Sequence, residues 1–132
     1  MQLLIKNAKL RNQEALVDIA IDGGLIQAVG KDVGQQADQV IDVAGALVTP
    51  ALIDPHIHLD KVNIFDVVRK NESGTLKEAI EIIWDKKKTY TDEDVLERSS
   101  DVVYKALKNG TLFMRTHVDV DTIGGLKPLS GV

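Results

Sequence analysis

The arrangement that most restricts the fold is a pair of long strand-like stretches, Ala51 to Asp60 and Thr111 to Val120, with two helix-like segments between them. A strand, a helical crossover and a second strand form a βαβ unit, which implies parallel strands and a right-handed connection. Side chains alternate along a strand, so Asp54, His56, His58 and Asp60 share one face of the first stretch while Ile53, Ile57 and Leu59 take the other. In the second, Leu112, Met114, Thr116, Val118 and Val120 oppose Phe113, Arg115, His117 and Asp119. Strands of a parallel sheet covered on both sides are normally apolar throughout, so these polar faces mark where the sheet looks into a site.

The intervening helices carry their own boundary signals. Asn71-Glu72-Ser73-Gly74 reads as a loop, and Thr75 followed by Glu78 forms a capping box, so the first helix starts at Leu76. Leu76, Ala79, Ile80, Ile83 and Trp84 recur at helical spacing as its expected core stripe. The run Lys86-Lys87-Lys88 suits the negative pole of the helix and is expected to be a solvated end. Thr91-Asp92-Glu93-Asp94 repeats the start signal, Val95, Ser99, Val102, Val103, Ala106 and Leu107 form the second stripe, and Asn109-Gly110 is the C-cap. Asp121 to Gly125 reads as a loop, and Leu126 to Val132 is too short to assign.

Residues 1 to 49 read as short strands: Leu3 to Lys6, Leu16 to Ile21, Leu25 to Val29 and Ala46 to Thr49, with a weaker pattern at Val40 to Val43. Asp22-Gly23-Gly24 supplies the positive-φ residues of a tight hairpin turn and, with no helix after it, is not a phosphate loop. The expectation is a small antiparallel β unit over residues 1–49 that takes missing partner strands from elsewhere, followed from residue 50 by a βαβ unit whose geometry suits the mouth of a barrel.

Composition narrows the function. The charge of −4 and pI near 5.3 lack the basic footprint of a nucleic-acid binder, which favours a small-molecule partner. There is no cysteine, so any metal must be held by nitrogen and oxygen. The N-terminal apolar run is broken at Lys6 and no stretch approaches a membrane span, so the expected location is cytoplasmic and the expected partners exclude membranes.

His56 and His58, one residue apart on an extended segment, can reach a single metal ion; two strand histidines with local hydrogen bonds are the alternative. Asp54 orients a ligand or bonds locally to the backbone, and Asp60 with Lys61 forms a pocket rim or a salt-bridged loop. His117 is read as lining the pocket or satisfied in the core, with Arg115 and Asp119 as ion-pair partners.

The run Thr49-Pro50-Ala51-Leu52-Ile53-Asp54-Pro55-His56-Ile57-His58-Leu59-Asp60, then Ser73-Gly74-Thr75, then Arg115-Thr116-His117-Val118-Asp119-Val120, resembles the amidohydrolase superfamily, and most of all its cytosine deaminase-like branch. Ala51 departs from the glycine of many relatives and leaves the histidines untouched. The resemblance makes the β unit of residues 1–49 part of a composite β-sandwich and implies the N-terminal part of a metal-dependent (β/α)8 hydrolase barrel with one divalent ion, zinc or iron. His56 and His58 correspond to its first two ligands. A metal-activated water would deaminate cytosine or a similar amino-heterocycle with ammonia as leaving group. The further ligand histidine, the acid/base glutamate and a last-strand aspartate would lie on later strands, beyond Val132. A complete barrel takes about 250 residues, so the alternative is a noncatalytic truncated fragment or partial subunit, with association through exposed edges.

Overall fold

The computed structural model describes residues 1–34 and 36–132. The chain divides into two compact units, Met1–Pro50 and Ala51–Val132.

The first unit is a four-stranded sheet in the order β3-β2-β1-β4, built from β1 (Leu3–Ala8), β2 (Val17–Asp22), β3 (Leu25–Gly30) and β4 (Gln39–Asp42). Leu4, Ala8, Ile19 and Ala20 form its buried centre on the two inner strands. The β2–β3 hairpin turns at Gly23 and Gly24, with φ of 58° and 73°, values that a two-residue turn requires and glycine adopts without strain. Asn7 also has positive φ, within an irregularity of the β1–β2 ladder, and its displaced N–H donates to the buried Asp18 carboxylate at 3.0 Å.

Two expectations for this unit change. The weaker stretch at Val40 is a full strand, and it joins β1 in parallel, so the sheet is mixed. Ala46 to Thr49 is not a strand: β1 has ended at Ala8, and only Lys9 remains to pair with Leu47 in an isolated bridge.

The second unit contains β5 (Leu52–Ile57), α1 (Leu76–Lys87), α2 (Asp92–Lys108), β6 (Thr111–Thr116) and the short α3 (Lys127–Gly131). β5 and β6 pair in parallel, as the βαβ reading requires. Thr75 and Thr91 cap their helices by accepting the N–H of Glu78 and Asp94, at 3.3 and 3.1 Å. The Glu78 carboxylate does not complete a capping box on Thr75. It takes the hydroxyl and N–H of Ser73 and the Arg69 guanidinium, and these, the Ser73 hydroxyl foremost, hold its pKa down at about 2.

The crossover helix that packs on β6 is α2, which also meets α3 and the turn Leu59–Lys61. The stripe expected in the core of α1 does not reach one: Leu76 and Ile80 are exposed and Trp84 is 44% exposed. With Ala79 and Ile83 they line a groove of about 220 Å³ whose other residues, Lys61, Lys87, Asp119 and Asp121, come from the ends of β5, α1 and β6. Large apolar side chains of both strands are open, with Ile53 67% and Phe113 64% exposed, as expected of a parallel sheet without covering layers.

Candidate metal centre

β5 and β6 are both shorter than their sequence patterns. β5 stops at Ile57 and β6 at Thr116, so His58 and His117 sit just past the ladder, with His117 N–H donating to Ile57 C=O at 2.8 Å. The two chains then part. The Thr116 hydroxyl takes the Leu59 N–H at 3.1 Å, a side chain substituting for the next rung, and the main chain turns into the 3-10 segment Leu59–Lys61. The polar alternation that continues through Asp60 and Asp119 therefore belongs to loops at the C-terminal end of the strands, where a parallel β/α unit places its functional groups.

His56 Nε2 and His58 Nε2 lie 3.2 Å apart. Two nitrogens bound to one tetrahedral zinc at about 2.05 Å stand about 3.3 Å from each other, so this separation suits a shared ion. His58 Nδ1 is buried and has no hydrogen-bond partner among the described residues. A ligating imidazole ordinarily donates that second N–H to a carboxylate or carbonyl, so the orphaned atom fits a histidine whose orienting group comes from elsewhere. The two imidazoles fit a divalent ion in kind and would supply two of its ligands. Among the described residues no group of three or more His, Cys, Asp or Glu side chains is placed to hold a metal.

His117 packs beside the pair, its ring centroid 4.2 Å from His56 and 5.7 Å from His58. Loss of water on the packed side, and then the neighbouring imidazoles and Arg115, push its pKa below the usual histidine value and favour the neutral ring. The carboxylates are placed differently from one another. Asp54 accepts the main-chain N–H of His56 at 3.1 Å, a local turn-type bond that shapes the backbone under the first histidine. Asp60 is fully buried, paired with Lys61 at 3.2 Å and accepting the Asp119 N–H at 3.3 Å. Asp119 pairs with Lys61 at 2.8 Å and Lys87 at 3.2 Å, in place of the expected ion pair within its own strand.

Lys87 is the residue that sequence reasoning missed. It is 2% exposed rather than solvated, and Asp121 holds it from the far side at 2.6 Å. Burial lowers the pKa of this ammonium, but Asp121 and Asp119 more than offset that, leaving it above the ordinary lysine value. Its only sequence signal is the i, i+1 neighbourhood: three lysines on consecutive positions cannot all face the same way on a helix.

The sequence pattern of the amidohydrolase family matches residues 39–130. The chain belongs to that family. It is 31% identical to N-isopropylammelide isopropyl amidohydrolase of Pseudomonas sp. (strain ADP), over 98% of this chain and 33% of that protein. The crystal structure of 5-methylcytosine deaminase from Klebsiella pneumoniae with 5-fluorocytosine superposes with a TM-score of 0.84 at 34% identity, covering 97% of this chain and 31% of that one. Atrazine chlorohydrolase from Arthrobacter aurescens TC1, complexed with zinc, is similar at a TM-score of 0.62 and 25% identity, over 87% of this chain and 28% of that one. The chain thus spans about a third of the length of these amidohydrolase relatives, and the fold is the N-terminal part of their barrel with its preceding β unit.

Proposed function

We propose that this chain carries the first two metal ligands and part of the pocket of an amidohydrolase that removes an amino group from a small nitrogen heterocycle. The observation that carries this reading is the convergence of His56 and His58 on one point at the C-terminal end of β5. The similarity to 5-methylcytosine deaminase and N-isopropylammelide isopropyl amidohydrolase supports a heterocyclic C–N bond as the target. Similarity to a zinc-complexed relative supports a divalent ion, zinc or iron, as the cofactor.

His56 and His58 would hold that ion through Nε2. When bound, a divalent metal makes water a competent nucleophile near neutral pH and polarises the carbon under attack. The chain's own residues set the stage for this. Asp54 fixes the backbone at His56, Thr116 fixes the turn after His58, and the His117 ring packs against His56. Lys61 and Asp119 are the groove-side groups of this segment, with Asp60 buried as the ion-pair partner of Lys61 and His117 packed beside the histidines. The proton donor for the departing ammonia and the remaining ligands are assigned to later strands of the barrel, and no catalytic acid or base is assigned within the chain.

The alternative, a noncatalytic piece or partial subunit, is favoured by one observation: among the described residues the metal donors number two. Ammonia release from cytosine or 5-methylcytosine by the zinc- or iron-loaded protein separates the two. Turnover that disappears in His58→Ala supports the hydrolase reading. Loaded protein without turnover supports the partial-subunit reading, and turnover unaffected by His58→Ala refutes the metal role.

A further inference from the structure

The lysine run at the end of α1 is divided in a way the helix does not require. Lys86, half-buried, pairs with Asp94 at 3.7 Å and Lys88, exposed, with Asp85 at 2.7 Å, and either would complement the helix dipole. Lys87 is instead turned inward and buried, an arrangement that is unfavourable unless the ammonium is closely paired. Its partners both lie on the segment after β6: Asp121 at 2.6 Å and Asp119 at 3.2 Å. Asp121 is itself anchored, accepting the N–H groups of Ile123 and Gly124 at 2.9 and 2.7 Å. Asp119 shares its Oδ2 with Lys61, and Lys61 reaches Asp60, two residues after His58. A continuous chain of charged contacts thus runs from the end of α1 to the residues beside the histidines.

The groove gives this chain a consequence. Its apolar side is the α1 face at Leu76, Ile80 and Trp84, and its polar side is Lys61 and Asp119. α1 contributes no strand pairing, and α2 rather than α1 is the helix packed on β6. The width of the groove therefore depends on what ties α1 to the segment after β6, and the Lys87 ion pairs are a direct tie between them.

We propose that Lys87 is a positioning residue for the hydrolytic site: through Asp119 and Asp121 it pins α1 over the ends of β5 and β6 and so sets the groove in which substrate is held. This rests on the reading of the site given above. Two measurements test it on the full chain. In hydrogen exchange, Lys87→Met accelerates exchange across residues 76–87 by about tenfold and leaves α2 within about twofold of the parent, as expected when one local unit is released. Asp121→Asn, which keeps the lysine and removes its nearest partner, gives the same pattern at smaller amplitude and serves where Lys87→Met does not fold. Unchanged exchange in α1, or equal acceleration across both helices, overturns the proposal. In steady-state kinetics with cytosine, Lys87→Met raises KM about tenfold with kcat within about twofold, the signature of weakened substrate binding in the groove; a fall confined to kcat overturns it. Absence of ammonia release by the parent protein is the outcome of the partial-subunit reading and leaves the exchange result alone to decide the role of Lys87.

Discussion

At the residue scale, the site is a matter of which polar groups are given partners and which are left facing a missing one. Asp60 is fully buried with Lys61 and the Asp119 N–H as partners, so Asp60→Ala is expected to lower stability by about 2 kcal/mol in urea unfolding. Asp121 gives the acid limit. Hydrogen bonds from Gly124 N–H and then the Lys87 ammonium hold its pKa at about 2, below its ordinary value of 3.8. A lowered folded-state pKa contributes stability that is present above the ordinary value and lost as pH falls through the folded one. Stability should therefore decline between about pH 4 and pH 2, and Asp121→Asn should flatten that slope; an unchanged slope would show that Asp121 does not report the Lys87 contact. That His56 and His58 lie close together was legible from their two-residue spacing, although His58 already sits past the end of β5. Lys87 was not, since burial of one lysine in three depends on carboxylates 32 and 34 residues away in sequence.

At the element scale, the cap residues were readable and the strand ends were not. Thr75 and Thr91 each take the N–H three residues on, as their sequence positions imply, and Thr91→Ala should cost about 1 kcal/mol in thermal or urea unfolding. Strand ends depend on the partner: β6 stops at Thr116 because the Thr116 hydroxyl, rather than a backbone carbonyl, meets Leu59. The alternation in Arg115 to Val120 carries on past that point and cannot signal it. The short α3 was unreadable from seven residues, but its packing is tight. A Cβ placed at Gly131 would lie 2.5 Å from Val95 Cβ and 2.8 Å from the Asp92 carbonyl oxygen. Gly131→Ala should therefore destabilise the α2–α3 contact by about 1–3 kcal/mol, and a neutral result would contradict the packing of α3 on α2.

At the scale of the whole molecule, the two units are both unfinished in the same sense: the sheet of each has open edges, and the β5–β6 pair exposes large apolar side chains on both faces. Open edges and apolar faces favour association, so sedimentation of the 132-residue chain should show species heavier than 14.4 kDa that grow with concentration. A strictly monomeric chain would contradict that expectation. Among the described residues no helix is long and apolar enough to cross a membrane. The family likeness places the chain's two parallel strands at the start of a barrel, and on the proposed reading His56 and His58 are the first members of a donor set completed on later strands. The most direct test of this account is a zinc titration of the chain followed by histidine side-chain NMR. The prediction is that the Nε2 resonances of His56 and His58 shift together and saturate at the same zinc concentration, with both shifts lost in His58→Ala. Zinc that perturbs neither ring, or His117 alone, would contradict the assignment of the pair as the first ligands of the site.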